Sequence, residues 1–235
     1  MSDYSSHPSN LLVADLNPDA RAQFISRTYL HLAGAVLAFV ALEFIFLNSP
    51  VAAGMLALLG MGKFSWLLIL GGFMGITYVA QRMADNSASL EMQYAGLSLY
   101  VVAEAFIFVP ILLVASARAD NVIAIAAAIT ATLFLGLTFV AFTTRKDFSF
   151  LGAILKIGGF VALGLIVASI FFGFQLGLLF AGIMVVFAAA AILYSTSNIM
   201  YRYGTHQYVA ASLSLFASVM LLFWYILRLV MGNRR

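Results

Sequence analysis

The chain has 235 residues, of which 64% are hydrophobic and 9% charged, with a mean hydropathy of +1.05. Soluble domains carry about a quarter charged residues, and a surface this apolar would aggregate in water, so composition excludes an ordinary soluble protein and selects the lipid bilayer as the partner solvent. The 12 Lys+Arg against 9 Asp+Glu stand singly or in pairs between apolar runs and cannot build a nucleic-acid-binding face; the absence of cysteine excludes disulfides, thiolate nucleophiles and cysteine-based metal sites.

Residues 1–27 are polar, contain Pro8 and Pro18, and read as a flexible tail with a short amphipathic piece around Ala20–Thr28. They lack a basic stretch followed by a short apolar core and a small-residue cleavage site, so no removable signal peptide is expected. Residues 28–235 form the membrane domain. Seven apolar segments follow, at about 28–47, 64–81, 93–115, 122–142, 149–172, 177–200 and 209–231, each near the ~20 residues that span hydrocarbon as a helix. The stretch 48–63 contains an apolar run, Val51–Leu59, that is too short to cross and is expected to be interfacial or re-entrant. The fold class is therefore an all-α integral membrane protein with seven transmembrane helices.

Short connections force neighbouring spans to run antiparallel. One side then collects Arg21, Arg27, Arg82, Arg145, Lys146 and Arg202, with Lys156 deeper; the other collects Lys63, Arg118, Arg228, Arg234 and Arg235. Cytoplasmic loops carry the excess of Lys and Arg, which predicts a cytoplasmic N-terminus.

Three charges fall inside the spans: Glu43, Glu104 and Lys156. A carboxylate at the position of Glu104, near mid-membrane, must be paired, hydrated or protonated. It marks a proton- or cation-responsive group, with Lys156 as its natural counter-ion, or else a tie between helices. Glu43 lies nearer an interface. Tyr194-Ser195-Thr196-Ser197-Asn198 is unusually polar for a span end, and Ser214 and Ser218 share a helix face at i,i+4. These hydroxyls predict hydrogen bonds between the last two helices. Gly71 and Gly75, and Gly177, Ala181 and Gly182, predict close helix packing. Pro110 predicts a kink in the third span. No catalytic motif or metal-ligand spacing is present; the three histidines, His7, His31 and His206, lie in the tail, at a span edge and in a loop. An enzyme is not expected, nor is a cofactor.

The string Thr143-Thr144-Arg145-Lys146-Asp147-Phe148-Ser149-Phe150-Leu151-Gly152 between the fourth and fifth spans resembles the Bax inhibitor-1 family, in particular its bacterial YccA-like branch. Phe108-Val109-Pro110-Ile111, Ile192-Leu193-Tyr194, Ser197-Asn198-Ile199 and Ser214-Leu215-Phe216 support it over roughly residues 20–235. The resemblance implies a bundle in which six helices surround the last, and a location in the bacterial inner membrane. It implies two activities: modulation of a membrane-bound, ATP-dependent FtsH-type protease, or a proton-sensitive leak for calcium or other cations. In channel-like members a pair of aspartates on the last two helices forms a pH-sensitive latch; the matching positions here are Ser195 and Ser218, which do not titrate and ligate calcium weakly. The expected function is therefore the protease modulator, with the polar tail as its contact; the alternative is the cation leak, for which Glu104 is the better sensor.

Overall fold

The computed structural model describes residues 12–62, 64–86, 89–118 and 121–232. A 3-10 turn at Val13–Asp15 leads into eight helices: α1 (Pro18–Leu47), α2 (Pro50–Gly60), α3 (Ser65–Ala84), α4 (Leu90–Arg118), α5 (Val122–Thr144), α6 (Leu151–Phe172), α7 (Gly177–Tyr201) and α8 (Tyr208–Gly232). Seven of them, all but α2, are long and apolar enough to cross a membrane. The 11 residues of α2 reach about 16 Å and cannot cross. This helix buries Ala52 and Met55 against Val109 of α4, so the segment expected to be interfacial is a short helix packed on the bundle.

Six of the seven spans fall within a few residues of their expected bounds; the first does not. Helix α1 begins at Pro18, ten residues before the anticipated start. The Asn17 side chain accepts a hydrogen bond from the Ala20 N–H at 2.8 Å, and proline occupies the first helical position, where its missing donor costs nothing. At 30 residues, α1 is about 45 Å long and outruns the ~30 Å hydrocarbon layer. Its first turns therefore belong to the expected tail yet are helical. Residues 12–17 of that tail carry the 3-10 turn and the helix cap, and residues 1–11 lie outside the described residues.

Because α2 does not cross, the starts of α1, α4, α6 and α8 gather with the ends of α3, α5 and α7 at one end of the bundle, here called proximal. The opposite, distal end carries α2 and the start of α7. Helix α8 is the axis: 15 of its 25 residues are buried, and it packs against α1, α3, α4, α5 and α7. Helix α6 buries Ala162 alone and leans mainly on α7, so five of the six other spans wrap α8 closely and the sixth stands outside. The centre is aromatic. The Phe108 ring stacks on Phe223 at 5.7 Å and meets Phe39 and Trp224 edge-on, geometries that add to burial. Outward-facing apolar residues such as Phe172 (83% exposed) and Leu179 (80%) suit lipid rather than water.

Close helix approach occurs elsewhere than the glycine pattern predicts. Gly71, Gly75 and Gly182 face open space. The tight crossing is between α3 and α4 at Gly96, where a Cβ would lie 2.5 Å from the Ala80 carbonyl oxygen and 2.6 Å from the Ala84 nitrogen. Both contacts are backbone, which cannot swing aside, so a side chain here would push the two helices apart.

Candidate functional site

At the proximal end the Thr143–Gly152 loop is held by hydrogen bonds and an ion pair. Helix α5 ends with Arg145 in the left-handed conformation (φ 50°), its N–H bonded to the Ala141 carbonyl. The chain then turns about Asp147, whose Oδ1 accepts the Ser149 N–H at 2.8 Å in the local bond that aspartate makes in turns. The loop is fastened to the end of α7 by four contacts. The Ser197 hydroxyl accepts the Phe148 N–H at 3.0 Å and reaches Asp147 Oδ1 at 3.4 Å. The Tyr201 hydroxyl donates to the Arg145 carbonyl at 2.8 Å, and Arg202 pairs with Asp147 at 3.6 Å. Gly152 lets the Tyr194 ring pack closely over the loop: a Cβ there would lie 2.9 Å from the ring, which would have to shift. Thr143 and Lys146 are exposed, while the Thr144 hydroxyl bonds back to Val140. The loop motif and the polar run ending α7 are thus two halves of one docked unit.

The N-terminal segment docks beside it. Val13 is fully buried, its N–H bonds the Tyr203 carbonyl at 3.0 Å, and Leu12 bridges to Gly204 in the α7–α8 connection. Arg21 reaches back from α1 to the carbonyls of Val13 and Ala14. His31 joins this end through a 2.8 Å bond to the Tyr94 hydroxyl.

Ser195 and Ser218, the positions matched to the family's acid pair, meet as expected. Their hydroxyl oxygens are 3.1 Å apart, Ser214 Oγ lies 3.2 Å from Ser195, and Ser218 donates to the Ser214 carbonyl. These serines line a cavity of about 350 Å³ together with Gln81, Asp85, Tyr194 and Tyr203. Asp85, which the sequence offers only as loop punctuation after the second span, is the acid that lines this cavity with the serines. Burial pushes its carboxyl above the usual range, and the Arg82 guanidinium opposes the shift. Burial also pushes the Tyr203 phenol up to about 12, so it remains a neutral donor.

The intramembrane charges are arranged differently from expectation. Lys156 is exposed on α6 and does not act as the counter-ion of Glu104. The charged neighbour of Glu104 is Glu43, close enough to interact electrostatically. Both acids are nearly enclosed, at 6% and 5% exposure. Both Glu43 oxygens and Oε2 of Glu104 lack a hydrogen-bond partner. Such sealed acids are costly as anions. Among the described residues no group of three or more metal-ligating side chains forms.

Comparison with known proteins agrees with this architecture. The family described as Inhibitor of apoptosis-promoting Bax1 matches residues 21–235. The chain belongs to the Bax inhibitor-1 family. An uncharacterized protein of Pseudomonas aeruginosa is 34% identical over 170 residues, covering 69% of this chain and 72% of its own length. The Escherichia coli protein named Modulator of FtsH protease YccA is 33% identical over 155 residues, covering 65% and 68%. An uncharacterized protein of Pasteurella multocida is 31% identical over 157 residues, covering 65% and 68%. The chain is thus an all-α membrane protein of the Bax-inhibitor type with YccA-like relatives.

Asp147 gives a pH test of the docked loop. The Ser149 N–H, with Ser197 and Arg202, holds its carboxyl below the ordinary value of 3.8. A depressed acid stabilises the docked form above its unfolded pKa and loses that contribution as pH falls through the folded value. Limited proteolysis of the loop is therefore expected to be slow at neutral pH and to accelerate only below about pH 4, with Asp147→Asn already fast at pH 7. Equal cleavage rates for the two proteins at pH 7 would contradict the docking role.

Proposed function

We propose that the protein is a multi-pass inner-membrane protein of a bacterium, without enzymatic activity of its own, that modulates membrane-protein quality control through an FtsH-type protease. The observation that carries this reading is the similarity to the Escherichia coli protein named for modulating that protease. The proximal end supports it as the working face. It holds Arg21, Arg27, Arg82, Arg145, Lys146 and Arg202 against Arg118 and Arg228 among the described residues of the distal end, a bias that supports a cytoplasmic proximal face and N-terminus. It also presents residues 12–16 docked on the α7–α8 connection, through the Val13 N–H to the Tyr203 carbonyl and the Leu12–Gly204 bridge. The tail is the proposed contact. Full-length protein is expected to co-purify with the protease and lengthen the half-life of a membrane substrate, and a variant lacking residues 1–11 to do neither. Equal recovery and equal half-lives would remove the tail from the account.

The Glu43–Glu104 pair supports a second reading, a proton-sensitive leak for calcium or other cations. Two neighbouring acids in a sealed, apolar setting cannot both ionise without a large cost, so their protonation is coupled to the packing around them, and in this reading they stand in for a titrating pair on α7 and α8. Cation flux into proteoliposomes would then depend on pH, and Glu104→Gln and Glu43→Gln would each flatten that dependence. Flux in both variants indistinguishable from the parent protein would exclude the pair as the sensor.

A further inference from the structure

At the distal end, α6 stands away from α4 and α8, and the gap is a lateral cleft of about 760 Å³, within the size range of ligand sites. Its lining combines basic and apolar side chains. Arg118 from the end of α4 and Arg228 from α8 both line it, and so does Tyr225, whose side chain is 95% buried with its ring edge-on to Phe180. Arg118 donates to the Met231 carbonyl at 3.3 Å, which fixes it at the cleft; neither arginine has an ion-pair partner among the described residues, and no described Asp or Glu lines the cavity. The start of α7, Gly177, borders the same space with no side-chain cap on its N–H groups, adding positive partial charge. Apolar side chains complete much of the lining, among them Trp66, stacked on Trp224, and Ile166 and Ile170 of α6, with Ser169 and Gln175 as neutral polar members.

Two guanidiniums beside apolar side chains match an amphiphile with an anionic head. Guanidinium is planar with five donors and recognises phosphate with two parallel bonds. We propose that this cleft binds one anionic phospholipid, its phosphate held by Arg118 and Arg228 and its acyl chain lying against Trp66, Ile166 and Ile170. Free phosphate shares the headgroup chemistry but leaves the apolar side chains unused.

The test is retention of lipid by the full chain in nanodiscs made from equal amounts of phosphatidylglycerol and phosphatidylcholine with identical chains, read by native mass spectrometry. The parent protein is expected to retain phosphatidylglycerol about thirtyfold over phosphatidylcholine, from about a fivefold factor per arginine. Arg118→Gln combined with Arg228→Gln abolishes the preference, and Ile166→Trp, which fills the cleft and keeps both arginines, lowers total retention of lipid. Equal retention of the two lipids by the parent protein would overturn the proposal, and this comparison needs no variant. Full preference in the double variant, or complete displacement of the lipid by glycerol 3-phosphate, would do the same.

Discussion

Inside hydrocarbon no water is at hand to satisfy a stray hydroxyl, and the serines that face each other across α7 and α8 satisfy one another. The seam between these two helices is the contact around which the bundle is built. Ser195 reaches both Ser214 and Ser218, Thr196 and Ser197 are fully buried, and Ser197 continues outward to hold the α5–α6 loop. Each interhelical hydrogen bond of this type is worth about 0.6–2 kcal/mol. Their placement therefore contributes more to register than to raw stability. They set α7 against α8, and α8 in turn supplies the surface on which α1, α3, α4 and α5 pack.

Both ends of the molecule inherit their character from that arrangement. At the proximal end the docked loop, the bridged N-terminal segment and the α7–α8 connection form one polar face, with Asp85 and the serine cavity beneath it. At the distal end α6, tied mainly to α7, leaves the cleft beside Arg118 and Arg228. Between the ends lies the aromatic cluster of Phe39, Phe108, Phe216 and Phe223. An account based on a protease contact needs only the proximal face, whereas a leak needs a path past these rings. The enclosed Glu43 and Glu104 would have to report protonation to such a path rather than line it.

The spans were legible in the sequence because length and hydropathy are the two quantities the bilayer imposes. The hydroxyl contact between Ser195 and Ser218 was legible too, since antiparallel neighbours joined by a short loop bring their polar faces together. What escaped depended on rotation about helix axes. Glu43 and Glu104 are 61 residues apart in sequence, and only the packing of α1 on α4 makes them neighbours, while the same packing leaves Lys156 outside. A small-residue repeat suggested Gly71 and Gly75, yet close approach happens at the single Gly96 opposite Ala80 and Ala84, which carries no repeat. The early start of α1 was hidden because its first turns are polar, and only the Asn17–Pro18 pair marks the boundary.

The α7–α8 seam can be tested directly because the chain contains no cysteine. A disulfide needs Cβ atoms about 3.5–4.5 Å apart, and side chains whose oxygens lie 3.1 Å apart face each other at close range. In a protein carrying Ser195→Cys and Ser218→Cys, mild oxidation in membranes is expected to form one intramolecular disulfide in nearly every molecule, read as loss of alkylatable thiol. Leu179→Cys with Ser218→Cys is expected to form none. Two free thiols in the folded Ser195→Cys, Ser218→Cys protein after oxidation would contradict the seam, and with it the placement of α8 at the centre of the bundle.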